Sequence, residues 1–252
     1  MKTFAKTIVG MSLLIGMAGT ASASTLKEIA DSTYMLYDRE RPHCSIVAVS
    51  PTQFVTANHC VEGMSNLNIR VTTENDKFEP VSEDTRYLEI MRTIKAKDVA
   101  LLKFRGSGES NKTWVDVSLP SVEFTFGEKL IAVGYPGVMD LTVTEGLFTG
   151  FVKTPFTGMD GAIIKTTVPV TGGSSGGGYY HLKKGETSNY ELIGTTIGMD
   201  TRTSFQTYIT TPKSLDEVFK SLLDTKKAAS GGEKDVKKGD STGELINPFD
   251  LK

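Results

Sequence analysis

Three short segments of the chain hold the residue types needed to open an acyl bond. They are Val55-Thr56-Ala57-Asn58-His59-Cys60, Asp98-Val99-Ala100-Leu101-Leu102-Lys103 and Thr171-Gly172-Gly173-Ser174-Ser175-Gly176-Gly177. A serine hydroxyl is a poor nucleophile at neutral pH. It needs a base to take its proton as the bond to carbon forms, and a histidine with an ordinary pKa near 6.5 suits that work. The imidazole turns positive in the step, so a carboxylate that orients it also stabilises it. The attacked carbonyl becomes an oxyanion, which N–H donors already in place can hold. Taken singly, each segment has an ordinary reading as a structural histidine, a turn aspartate or a Gly/Ser loop. Together they run in the order His, Asp, Ser, at separations of 39 and 77 residues.

With these flanks the chain resembles the trypsin-like (chymotrypsin-fold) serine proteases over roughly residues 40–222. His59 lies in a match to the family's Thr-Ala-Ala-His-Cys motif, with Asn58 in place of the second Ala. Asp98 opens an Asp-hydrophobic-Ala-Leu-Leu strand, and Ser175 lies in Gly-x-Ser-Gly-Gly. The resemblance implies Ser175 as nucleophile, His59 as general base and then acid, and Asp98 as orienting carboxylate. By motif position the oxyanion donors are the backbone N–H groups of Gly173 and Ser175. The same register selects Ser175 over Ser174. The family commonly bridges the loop that carries the histidine, which here implies a Cys44–Cys60 disulfide; two free buried thiols are the plain alternative.

The position before the nucleophile is Ser174, where vertebrate-type digestive proteases carry an Asp that pairs with a new N-terminal ammonium. An activation route without that ion pair is therefore expected. Ala132-Val133-Gly134-Tyr135-Pro136-Gly137, Leu141-Thr142-Val143-Thr144-Glu145-Gly146-Leu147 and Tyr208-Ile209-Thr210-Thr211-Pro212 are similar to bacterial HtrA-type (Deg) proteases. The residues after Leu222 are too few for a PDZ domain. A single-module bacterial protease is the expectation.

Elements that could position these residues are visible as short apolar runs cut by Gly, Pro, Asn and Asp. Ser45–Val49, Phe54–Thr56, Leu67–Val71, Val99–Phe104, Lys129–Val133, Leu147–Val152, Ala162–Val168, Glu191–Ile197 and Phe205–Ile209 read as strands. Such a series suits a sandwich or closed barrels. Thr211 and Pro212 open a helix whose apolar residues Leu215, Val218, Phe219, Leu222 and Leu223 share a face. A second short helix is expected around Leu26–Leu36. The resemblance implies an all-β fold of two antiparallel six-stranded β-barrels with that C-terminal helix.

Residues 1–23 read as a secretory signal peptide. Lys2 and Lys6 begin it, Ile8 to Met17 form the apolar run, and Ala21-Ser22-Ala23 offers a cleavage site. The organisation expected is thus signal peptide 1–23, first barrel 24–118, second barrel and helix 119–225, and a flexible Lys/Gly/Ser-rich tail 226–252. The address is secreted, periplasmic or extracellular, where a disulfide persists.

Composition narrows the partners. The chain has 28 Lys plus Arg against 30 Asp plus Glu, a net charge of −2, which argues against a polyanion partner. After residue 23 no stretch is long and apolar enough for a membrane helix. A protein or peptide substrate and a monomeric state are expected, with no nucleic acid and no membrane. No cofactor is expected, and no metal, since His43, His59 and His181 lack ligand spacing.

The resemblance implies a pocket for the residue before the scissile bond, with Pro169, Val170 and Thr171 on one wall and Ile197, Gly198 and Met199 on the other. Pro169 stands where trypsin has its pocket Asp, so cleavage after Arg or Lys is not supported. Two rivals stay open: a protease fold kept only for binding, and a serine esterase. Gly173-Ser174-Ser175-Gly176-Gly177 fits the esterase elbow formally, although its histidine should come last.

Overall fold

The computed structural model describes residues 24–74, 80–107, 109–118, 122–183, 185–200 and 206–220. The expected signal peptide and tail lie outside them. Two closed antiparallel barrels follow one another along the chain. The first contains β1 (Thr33–Asp38), β2 (Arg41–Ala48), β3 (Gln53–Thr56), β4 (Leu67–Glu74), β5 (Pro80–Ile94) and β6 (Val99–Phe104), in the spatial order β1-β2-β3-β6-β5-β4. The second contains β7 (Lys129–Gly134), β8 (Thr142–Lys153), β9 (Ala162–Thr166), β10 (Gly178–Leu182), β11 (Tyr190–Met199) and β12 (Thr207–Ile209), in the order β10-β11-β12-β9-β8-β7. A short helix, α1 (Leu26–Asp31), precedes the first barrel, and α2 (residues 212–220) follows the second. The all-β expectation holds. All strand pairs are antiparallel, which removes the parallel sheet a serine esterase of the α/β class would need.

Side-chain alternation shows how the barrels meet. On β6, Ala100, Leu102 and Phe104 fill the first barrel, while Val99 and Leu101 face outward into a second cluster. On β7, Leu130 and Ala132 fill the second barrel, while Ile131 and Val133 join Val99 and Leu101 in that cluster. Leu215 and Val218 of α2 close the seam from one side. Strands buried on both faces read as continuous apolar runs, and so β6 and β7 stand out in the sequence. Among the described residues no helix is long and apolar enough to cross a membrane.

The first barrel also contains a disulfide between Cys44 and Cys60, 16 residues apart, with both cysteines buried in its core. It joins β2 to the 3-10 turn Asn58–Cys60. A closed loop of this size contributes about 3 kcal/mol in the chain-entropy model. The double variant Cys44→Ser/Cys60→Ser should therefore lose about that much in urea unfolding; a midpoint within error of the wild type would show that the bridge constrains little.

In the second barrel one buried cluster should set a pH window. His181 of β10 directs Nδ1 at Glu128 Oε1 (3.1 Å) and Nε2 at Glu191 Oε1 (2.6 Å). Carboxylate oxygens only accept, so both contacts are hydrogen bonds when the ring carries both protons. Burial alone would lower the His181 pKa, but Glu191 and Glu128 outweigh it and hold the pKa above its ordinary value. Burial likewise acts to raise Glu191, and its bond to His181 outweighs that and lowers it. The His181 contribution to stability is complete below about pH 6.5 and is lost as pH rises through its higher folded value. The Glu191 contribution is present above its ordinary value and fades as pH falls. Wild type minus His181→Gln should therefore show a stability difference that peaks in mildly acidic solution, checked by urea midpoints across pH; a pH-independent difference would refute the coupling.

Candidate active site

His59 lies in the middle of the 3-10 turn that follows β3. Asp98 ends the 3-10 turn Lys95–Lys97 in a left-handed conformation (φ 50°, ψ 46°), directly before β6. Aspartate tolerates this region better than most residues. β3 and β6 are paired, with Thr56 opposite Ala100, so the two turns lie side by side. The Asp98 carboxylate then holds His59 at two points. Oδ2 accepts Nδ1–H at 2.7 Å, and Oδ1 accepts the His59 backbone N–H at 2.8 Å. Because the carboxylate can only accept, the Nδ1 position carries the proton and Nε2 of the neutral ring keeps its lone pair. Asp98 is 5% exposed, whereas the His59 side chain is 44% exposed. The tether is buried and the ring that it holds is partly exposed.

Ser175 arrives from the second barrel on a turn packed against the end of β3 that leads into His59. Gly176 has φ +78°, and a Cβ there would lie 2.0 Å from Thr56 Oγ1, 2.4 Å from Ser45 O and 3.0 Å from Ala57 N. Only a glycine lets the backbone after Ser175 approach the strand end that leads into His59. The Gly176 N–H donates to Thr196 O and the Thr196 N–H to Gly177 O, each at 2.9 Å, tying the turn to β11. No hydrogen bond joins Ser175 Oγ to His59. Such links are often long before substrate is in place.

Three consecutive peptide planes lead up to Ser175, and all are trans. The Gly137 N–H donates to Gly172 O (2.6 Å), the Ser174 N–H to Thr171 O (3.1 Å) and the Gly177 N–H to Ser174 O (2.9 Å). The N–H groups of Gly173 and Ser175 have no hydrogen-bond acceptor among the described residues. Gly173 has φ +90°, and a Cβ there would meet Tyr135 O at 2.4 Å. Neither N–H is committed to a carbonyl of the described residues. Ser174 is buried, and its Oγ accepts the Thr171 N–H at 3.4 Å. The Ser24 backbone pairs with Tyr190 at the far end of β11.

Pro169, Val170 and Thr171 line a cavity of about 170 Å³ with Ala132, Gly134 and Thr142 opposite. Ile197, Gly198 and Met199 are not among its lining residues. Ile197 instead packs with Ile163 and Tyr208, beside Phe156 and Met159, and Phe156 lies against Gly198. Phe156 and Met159, from the β8–β9 connection, were not singled out by sequence reading. Neither was a second cavity of about 500 Å³, whose lining includes Gly173, Arg41, His43, Met64 and Val138. Only the folded chain brings these segments together. Cys44, His59 and Cys60 also lie close together. The two sulfurs are joined to each other and are not thiolate ligands, so this is not a metal-binding set.

A family model, the trypsin-like peptidase domain, matches residues 44–187, more than half of the chain and a span that includes His59, Asp98 and Ser175. The chain belongs to this family, and so to the serine peptidases. No curated protein matches it in sequence. Among solved structures it is similar to Rv3671c protease from M. tuberculosis (active form), with TM-score 0.57, 15% identity, and 84% of this chain and 88% of that chain covered. It is similar to the MamO protease domain from Magnetospirillum magneticum, with TM-score 0.61, 14% identity and coverage of 75% and 96%. It is also similar to the HtrA-type protease AlgW with a tripeptide, with TM-score 0.61, 17% identity and coverage of 79% and 62%. At these identities the likeness is one of fold, and this chain spans under two thirds of AlgW.

Proposed function

We propose that the chain is a secreted serine endopeptidase acting through Ser175, His59 and Asp98. The observation that carries this reading is the two-point hold of Asp98 on His59, which keeps the Nε2 lone pair available as the base. As Ser175 Oγ bonds to the scissile carbonyl carbon, its proton passes to Nε2 and the oxyanion takes the N–H groups of Gly173 and Ser175. Nε2–H then protonates the leaving amine as the C–N bond breaks, leaving an acyl-enzyme. Water attacks this ester, its proton passes to Nε2, and Ser175 leaves with that proton restored.

The substrate is an extended protein or peptide; AlgW, of similar fold, was solved with a tripeptide and a decapeptide. Export is supported by the pattern of residues 1–23 and by the disulfide. Digestion of a peptide library, read by mass spectrometry, tests the reading. Internal cleavage that is absent with Ser175→Ala supports it. Intact peptides with a folded, oxidised sample would favour the protease fold kept only for binding.

A further inference from the structure

Ser45 lies on β2, next to the disulfide, and is fully buried. Its neighbours of the opposite parity, Cys44, Ile46 and Ala48, fill the first barrel, and Val47, two residues on, packs into the seam with the second. Ser45 faces the same seam. A buried hydroxyl among apolar groups is costly unless both its donor and its acceptor capacity are used. Here they are. Oγ–H donates to Gly173 O at 2.8 Å, and Oγ accepts the Tyr135 N–H at 2.9 Å. The Ser45 main chain adds two more links. Its N–H donates to Ser175 O at 2.8 Å, and its carbonyl accepts the Thr56 hydroxyl at 2.7 Å.

One residue of the first barrel thus holds the carbonyls of Gly173 and Ser175, which belong to the second. The 173–174 peptide plane lies between the two planes that present the Gly173 and Ser175 N–H groups. Its carbonyl end is tied to the opposite barrel by the Ser45 hydroxyl. We propose that Ser45 is a positioning residue that fixes the angle between the two oxyanion donors through its side chain. The proposal rests on Ser175 being the nucleophile. It adds a requirement that the sequence motifs do not contain.

The test compares wild type with Ser45→Ala and Ser45→Gly. Both variants keep the β2 main-chain bonds; Ser45→Ala removes only the hydroxyl, and Ser45→Gly removes the whole side chain. Three quantities are read: kcat and KM on a cleaved peptide, the rate of Ser175 labelling by a fluorophosphonate, and amide hydrogen exchange at Ser174, Gly176 and Gly177. The expected result is a fall in kcat and labelling of about 10- to 100-fold with KM nearly unchanged. This is smaller than the ~10²–10³-fold loss from removing an oxyanion donor outright. Exchange at the three amides should accelerate while the rest of the barrel stays protected. A merely structural role would lower the urea midpoint and leave kcat intact far below it. Wild-type labelling and exchange in both variants would overturn the proposal. If wild type itself fails to label, the proposed function falls, and the exchange comparison alone then decides whether Ser45 holds the turn.

Discussion

Asp98→Asn should lower kcat by about 10⁴-fold while KM and the unfolding midpoint barely move. The loss follows from the two bonds that Asp98 makes. Oδ1 accepts a backbone N–H, whose position is set by the 3-10 turn, and Oδ2 accepts the ring Nδ1–H. An asparagine has one acceptor and one donor group in place of two acceptors. The fixed backbone N–H takes the amide oxygen, and the NH₂ group then faces Nδ1. The ring responds by placing its proton on Nε2 and its lone pair on Nδ1. The residue that should accept the Ser175 proton becomes a donor. A loss of about 10⁴-fold is what the wrong tautomer costs in a triad whose geometry is otherwise kept. Steady-state kinetics and urea unfolding on the same preparation check this. Unchanged kcat would show that the tautomer is set elsewhere.

Gly176→Ala should fail in a different way, by separating the barrels at the site. The backbone there is left-handed (φ +78°), which costs a residue with a Cβ about 1–2 kcal/mol. The new methyl would also meet Thr56 Oγ1 at 2.0 Å and Ser45 O at 2.4 Å. Overpacking of this kind typically adds about 1–3 kcal/mol. The expected destabilisation is therefore about 2–5 kcal/mol, with labelling of Ser175 lost even in molecules that stay folded. Thr56→Ala should not rescue it, because the Ser45 carbonyl is main chain and stays. Gly172→Ala is the contrast within the same heptad. A Cβ there meets nothing within 4 Å, and its unfolding midpoint should match the wild type. If the Ala variants at 172 and 176 unfold alike, the close approach of the Ser175 turn to β2 and β3 is wrong.

Much of the frame was legible in the sequence because the strands at the seam are apolar on both faces. β6 and β7 could be read as runs, and the helix over 212–220 carried its cap and its stripe. By its sequence β1 falls within the helix expected around Leu26–Leu36. The capping box of Thr25 and Glu28 starts a real helix, but it ends at Asp31, and Tyr34, Met35 and Leu36 extend as a strand paired to β2. β5 gives no strand signal at all. Along Val81–Arg86 it is polar and largely exposed, so no alternation marks it, and only its pairing with β4 and β6 makes it a strand. β10 was hidden because it follows directly on the glycines of the Ser175 turn.

The site divides along the same line. His59, Asp98 and Ser175 are carried by local motifs, whose order and flanks together mark them in the sequence. The cavity beside Pro169, the packing of Phe156 against Gly198, and the seam position of Ser45 depend on contacts between segments about 40 to 130 residues apart. A serine in an apolar strand gives no sign of what it bonds until the second barrel is in place.

The central claim is that Ser175 is activated at rest by His59 and by a formed oxyanion site. Intact-mass and peptide-mapping analysis of the oxidised protein after fluorophosphonate treatment tests it most directly. The account predicts one adduct per chain, on Ser175, lost in Ser175→Ala and in His59→Ala while both variants remain folded. A folded wild type that takes no adduct, or one labelled at another residue, would contradict it.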